Sequence, residues 1–159
     1  MRITFITVGK LKEAHLKAAV AEYAKRLSKY AKFEIIEVAD ESAGEKISPA
    51  EEQIVIAKEG ERILKYIKDG GYCIATAISG EALTSVGFAD KMAKLSVSGY
   101  SHVYFIIGGS LGLSQEVFQR ADFCLSFSKM TFPHQLMRVI LAEQVYRAFR
   151  INGNEPYHK

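Results

Sequence analysis

Two periodicities alternate along this chain. Short runs rich in β-branched and aromatic residues, such as "ITFITV" (3–8) and "HVYFII" (102–107), are followed by longer segments whose apolar positions recur every three or four residues. The runs at 3–8, 33–38, 72–78, 102–107 and 123–127 predict strands. The spacing between them predicts helices over 13–30, 49–69, 85–95, a short one from Ser114, and one over 133–151. Ser48 followed by Pro49 is a cap-then-proline helix start. Such alternation predicts an α/β fold, a mostly parallel sheet with helices on both faces. No internal repeat, low-complexity tract or linker interrupts it, so residues 1–159 read as a single domain. The segment "ADESAGEKISPAEEQ" (39–53) reads as a charged surface loop running into a helix.

In open parallel sheets, ligands bind beyond the carboxyl ends of the strands. Three loops occupy such ends here: "ISGEALTS" (78–85), "GGSLGLS" (108–114) and "SFSKMTFPHQ" (126–135). The glycine loop lacks the Gly-Lys-Ser/Thr ending of a P-loop, so no lysine meets a triphosphate. It also lacks the G-x-G-x-x-G spacing of a dinucleotide site and follows the fourth strand instead of the first. Two readings stay open: close approach of a ligand to the backbone, or turn geometry satisfied by Gly108, Gly109 and Gly112.

Composition adds little until it is divided along the chain. The hydrophobic share of 48% is that of an ordinary globular protein. No stretch has the length of a membrane span, and the N-terminus alternates like a strand, so the expected address is cytoplasmic with no membrane partner. Cys73 and Cys124 sit singly in apolar runs, without metal-ligand spacing, and read as buried packing residues. Residues 1–128 hold as many acidic as basic side chains, and the net charge of +3 lies entirely in residues 129–159. A basic terminal segment suits a polyanion, and a solvated surface suits it equally.

The opening "MRITFITVGKLKE", the glycine run "IIGGSLGL", the loop "SFSKMTFPHQ" and the terminal "PYHK" together resemble a known family. It is the bacterial large-subunit ribosomal RNA pseudouridine N3-methyltransferase family, of the SPOUT or trefoil-knot class, and the likeness runs through the whole chain. The resemblance implies S-adenosyl-L-methionine as cofactor, no metal, a homodimer, ribosomal RNA in the assembled ribosome as substrate, and a C-terminal part threaded as a knot. It implies cofactor contacts from Thr76, where the family commonly has leucine, from Gly108, and from Phe127, Ser128, Lys129, Met130, Thr131 and Phe132. It implies catalytic roles for Arg147, Tyr157 and His158. A non-catalytic RNA- or ribosome-binding factor on the same fold is the alternative, separated by whether the cofactor binds.

Bland readings stand beside several of these residues. Lys129 reads as a solvated charge and Met130 as core filler. His134 sits in the first turn of a helix, where the dipole favours the neutral ring. The tail "NGNEPYHK" has few apolar groups with which to bury itself. On the last helix Glu143, Arg147 and Arg150 share one stripe, while Leu136, Met137, Val139, Leu141, Val145, Tyr146 and Phe149 cover most of the remaining circumference. That width predicts a partner helix, with Phe149 in the interface.

Overall fold

A computed structural model describes all 159 residues. The elements run β1 (Arg2–Val8), α1 (Ala14–Leu27), β2 (Lys32–Val38), α2 (Pro49–Leu64), β3 (Tyr72–Ala82), α3 (Ser85–Val97), β4 (His102–Ile107), α4 (Gln115–Arg120), β5 (Phe123–Ser126) and α5 (His134–Asn152). The five strands form one all-parallel sheet in the order β2-β1-β4-β3-β5.

Strand periodicity decides which side chain meets which layer. Ile3 and Phe5 of β1, with Val103, Phe105 and Ile107 of β4, face a core completed by α1, α3 and α5. Ile6 and Val8, with Tyr104 and Ile106, face a smaller core completed by α2 and α4. Both faces are buried, which is why these strands read as nearly continuous apolar runs. No helix is long and apolar enough to cross a membrane.

Helix starts follow the caps. Ser48 accepts from the Glu51 amide and Glu51 reaches back to the Ser48 amide, a closed capping box. Thr84 and Ser114 cap α3 and α4 through the amides of Gly87 and Val117. At α5 the expectation needs adjusting, because Pro133 is the extended residue before the helix instead of its first turn. Helix α2 stops at Leu64, short of the expected 69, and β3 runs on to Ala82, taking in part of the expected loop. Cys73 is fully buried, and burial pushes its thiol up to about 12. Cys124 is only half-buried.

The start of α5 is held far from the strand that precedes it. Arg138 is 1% exposed and donates to the Val8 carbonyl at 3.0 Å and the Gly9 carbonyl at 2.8 Å. It also pairs with Glu37 at 2.7 Å. These contacts fix α5 to the ends of β1 and β2, whereas β5 lies at the opposite edge. Residues 127–133 therefore cross the carboxyl ends of β3 and β4. This crossing builds the site.

Candidate active site

The carboxyl ends of β3, β4 and β5 open into a cavity of about 480 Å³. Thr76 lies on its wall, with its hydroxyl donating to the Ile106 carbonyl at 2.9 Å. That hydroxyl satisfies the sheet, so the threonine presents no free donor. The register between β3 and β5 breaks after Thr76 and resumes at Glu81, and residues 77–79 bulge along the cavity.

Gly108 serves the loop and the cavity together. A Cβ there would lie 2.9 Å from the Gly112 carbonyl oxygen, so the loop could not close over a side chain. Gly112 has φ +89° and donates to the Gly109 carbonyl at 3.1 Å. The turn geometry is therefore real, and the loop it makes lines the cavity with its backbone.

Loop 126–132 forms the other wall. The Ser126 hydroxyl donates to the Ser128 carbonyl at 3.2 Å, and the Ser128 hydroxyl accepts the Met130 amide at 3.0 Å. Phe127, Ser128, Met130, Thr131 and Phe132 line the cavity. Lys129 does not; it is exposed and lies outside the lining. Met130 is 74% exposed, and Ile78 and Phe132 are also exposed, so the cavity mouth carries uncovered apolar side chains.

The contacts named from the sequence leave out part of the lining, although Ile78, Ser79 and His134 lie in the loops it placed at strand ends. Ile78 and Ser79 enter through the bulge, and His134 and Met137 enter because α5 begins beneath the cavity. Neither fact has a periodic signature. The His134 ring is held below its ordinary value by burial and then by the Arg138 charge, so it is neutral near pH 7.

Arg147, Tyr157 and His158 form a second cluster at the other end of α5. Arg147 pairs with Glu143 through Nη2 at 2.6 Å and Nε at 3.0 Å, and its guanidinium stacks over the Tyr157 ring. Tyr157 donates to Glu143 at 3.1 Å. Burial and the Glu143 charge raise its pKa, so the phenol keeps its proton. Arg147 Nη1 lies 3.2 Å from His158 Nδ1.

The tail is thus anchored, contrary to its polar appearance. Arg150 pairs with Glu155 at 3.0 Å and donates to the Pro156 carbonyl, and Glu155 accepts from Tyr30. Arg150 is a staple of the tail, not a free cation on the stripe.

The helix surface also needs correction. Leu141, Val145 and Tyr146 are buried in their own chain's core, and Phe149 stacks on Tyr30 with centroids 5.7 Å apart. Phe149 is an internal packing residue. The uncovered apolar part of α5 is its first half, where Leu136 is exposed and Val139 and Ile140 are partly so.

Within one chain the two clusters are not brought together. Met137 is the last residue of α5 to line the cavity, and ten residues of helix at about 1.5 Å each place Arg147 roughly 15 Å away.

A five-stranded parallel sheet with a cavity at the ends of three strands, crossed by the chain's own C-terminal segment, finds its match along the whole sequence. Residues 1–158 match the family described as "Predicted SPOUT methyltransferase". The chain belongs to the SPOUT methyltransferase family and is an enzyme of that class.

Particular relatives carry a more specific name. The chain is 60% identical to a protein of Alkaliphilus oremlandii and 58% identical to one of Bifidobacterium adolescentis, each over 100% of both chains. A Clostridium botulinum protein is 58% identical over the same full length. All three are named ribosomal RNA large subunit methyltransferase H. Among solved structures, a probable methylase family protein from Haemophilus influenzae Rd KW20 superposes with a TM-score of 0.52 at 13% identity. The match covers 99% of this chain and 70% of that one, a likeness of fold.

Proposed function

We propose that this enzyme transfers a methyl group from S-adenosyl-L-methionine to N3 of a pseudouridine in large-subunit ribosomal RNA, within the assembled ribosome in the cytoplasm. Residues 1–159 act as one domain, and two chains form the working homodimer. The observation that carries this reading is the cavity at the ends of β3, β4 and β5, in a chain 58–60% identical to ribosomal RNA methyltransferases over its whole length.

The cavity suits that cofactor. Its apolar side chains fit a purine ring, and the exposed backbone of two loops supplies the amides and carbonyls that a nucleoside and an amino acid require. Phe127, Met130 and Phe132 would hold the ring, while the main chain at Gly108, Ser128 and Thr131 would hold its polar groups. When bound, the cofactor supplies an electrophilic methyl carbon, so the protein needs no nucleophile of its own. A factor that only binds ribosomes would have no use for such a cavity.

The remaining work is a proton. N3 of pseudouridine is an imide N–H that must lose its hydrogen as the new N–C bond forms. His158 is the candidate acceptor, Tyr157 orients through Glu143, and Arg147 stabilises developing negative charge. Because Arg147 stands roughly 15 Å along α5 from Met137, the last residue of that helix to line its own chain's cavity, the partner's tail completes each site. Exposed Ile78, Met130 and Phe132 at the mouth, continuing into Leu136, provide the surface a partner would cover.

Incubation with methyl-labelled cofactor and assembled ribosomes, free large subunits or naked RNA tests this reading. Label at N3 of a pseudouridine in assembled ribosomes supports it. Cofactor-independent ribosome binding with no transfer would favour the binding-factor alternative.

A further inference from the structure

Charge is segregated between the two helical layers. Residues 10–32, which hold α1 and its flanks, carry seven basic and two acidic side chains, an excess larger than the +3 of the whole chain. Residues 39–64, which hold the loop after β2 and then α2, carry seven acidic and three basic ones. Helix α1 packs with α5 on one face of the sheet, and α2 packs with α4 on the other. The even balance of residues 1–128 conceals a basic face and an acidic one.

The basic face is largely unneutralised. Lys10, Lys12, Lys17, Lys25 and Lys32 are exposed and have no carboxylate within 4.0 Å. Arg26 is tied to Glu22 at 2.9 Å, but Lys29 approaches Glu155 only to 3.8 Å, with its side chain 71% exposed. The helix dipole accounts for Lys25 and Arg26 in the last turn of α1. It opposes Lys12 and Lys17 at the start, where Glu13 is the one acid. Cations kept against the dipole and without a partner suit an anion from outside the chain. Lys17 and Lys25 share a sector of about 100° with Ala14, Ala18 and Ala21, all exposed, and Lys29 lies in the turn that ends the helix. Between those lysines no side chain is taller than a methyl group.

The inner flank of α1 abuts the tail. Tyr23 and Arg26 lie against the Tyr146 ring, which meets Tyr157 at 5.0 Å, and Tyr30 donates to Glu155 at 2.8 Å. We propose that the outward surface of α1, through Lys17, Lys25 and Lys29 with Lys12 at its start, docks the phosphate backbone of the ribosomal RNA around the target pseudouridine. The inference rests on the methyl-transfer reading above and adds the surface that holds the substrate. Because each tail lies beside its own α1, the chain that supplies the tail also grips the RNA, and its partner supplies the cofactor. The acidic α2 face repels RNA, so the two faces together orient the enzyme on the ribosome. Lysines meet phosphates as point charges and read no bases, which leaves target choice to the cavity and tail.

The test sets a Lys17→Ala, Lys25→Ala, Lys29→Ala triple variant against a Lys46→Ala, Lys58→Ala, Lys65→Ala triple variant, which removes the same charge from exposed positions on the α2 side. Binding to ribosomes and to naked large-subunit RNA is followed across a salt series, with ribosome KM and calorimetric cofactor affinity measured on each protein. The α1 variant should raise KM about tenfold or more and make the salt slope shallower by about two to three, while binding S-adenosylmethionine as wild type does. The α2-side variant should change none of these. An α1 variant with wild-type KM and slope overturns the assignment, as do equal losses in both variants, which would make net charge the cause. A slope that falls on ribosomes but not on naked RNA also overturns it, because α1 would then meet a ribosomal protein. A wild-type chain that binds ribosomes with the α1-dependent slope yet transfers no methyl group overturns the methyl-transfer reading and supports the docking surface.

Discussion

Nδ1 of His158 lies 3.2 Å from Nη1 of Arg147, and the guanidinium has only hydrogens to offer. Nδ1 is therefore the accepting nitrogen, and a neutral ring carries its proton on Nε2. In this arrangement Nε2 is a donor. To take a proton from N3, His158 must use Nδ1 in place of the arginine contact, so substrate entry has to separate the pair.

His158→Ala should accordingly slow single-turnover methylation by about 10²–10⁴-fold if the ring is the general base. Cofactor affinity should not change. Arg147→Lys keeps the charge but loses the fork that holds Glu143 and His158, and should slow transfer while leaving the fold intact. A collapse of cofactor affinity in His158→Ala would make the tail a lid, and the proton acceptor would lie elsewhere.

Deleting residues 156–159 removes Tyr157, whose ring meets Tyr146 at 5.0 Å and whose hydroxyl meets Glu143. Glu155 stays with Tyr30 and Arg150. The truncated protein should lose about 1 kcal/mol, a melting-temperature drop of about 2–4 °C by calorimetry. Methyl transfer should nearly vanish. Wild-type transfer by the truncated enzyme would make the tail catalytically irrelevant.

The glycine loop should respond through its own closure. Gly108→Val sets a branched side chain against the Gly112 carbonyl and Leu113, and should abolish cofactor binding in a chain that still folds. Gly112→Ala forces an L-residue to positive φ and should weaken binding less, at a cost of about 1 kcal/mol in stability. Calorimetry with the cofactor and urea melts separate the two effects.

Acid should destabilise the fold through two histidines. Burial holds His102 and His134 below the ordinary 6.5, with Arg2 adding at the first and Arg138 at the second. The unfolded chain takes up protons as pH falls through about 6.5, and the native chain does so only lower. The stability they contribute is present above 6.5 and is lost as pH falls. Glu59 works in the opposite sense, because its raised pKa favours the protonated native state. Urea midpoints at about pH 7.5 and about pH 5.5 should fall further in wild type than in a His102→Gln, His134→Gln double variant. Equal changes would show that neither ring carries the effect.

Much of this architecture was legible because strand and helix periods are local. The alternation in β1 and β4 and the Ser48–Glu51 box need no distant information, and the predicted elements match the observed ones within a few residues at most ends. The cavity was only partly legible. Its loops follow strand ends, but His134 and Met137 enter it through the long crossing from β5 to α5, which no period encodes. The tail's anchoring was not legible in its polar composition, since it depends on Tyr30, which is 125 residues away from Glu155. The breadth of apolar surface on α5 suggested a partner helix, yet much of it packs on α1 and α3. Phe149→Asp should therefore unfold the chain, whereas Leu136→Glu should leave it folded and monomeric by sedimentation.

Cross-protomer complementation tests the central claim most directly. Gly108→Val disables the cavity, and deletion of 156–159 disables the tail. If each site joins one chain's cavity to its partner's tail, a heterodimer of the two variants contains one intact site. Mixed under conditions that exchange subunits, the two inactive proteins should recover about a quarter of the wild-type rate on assembled ribosomes. A mixture that stays inactive, although mass spectrometry shows heterodimers, would contradict the account and place the cavity and tail of one chain in the same site.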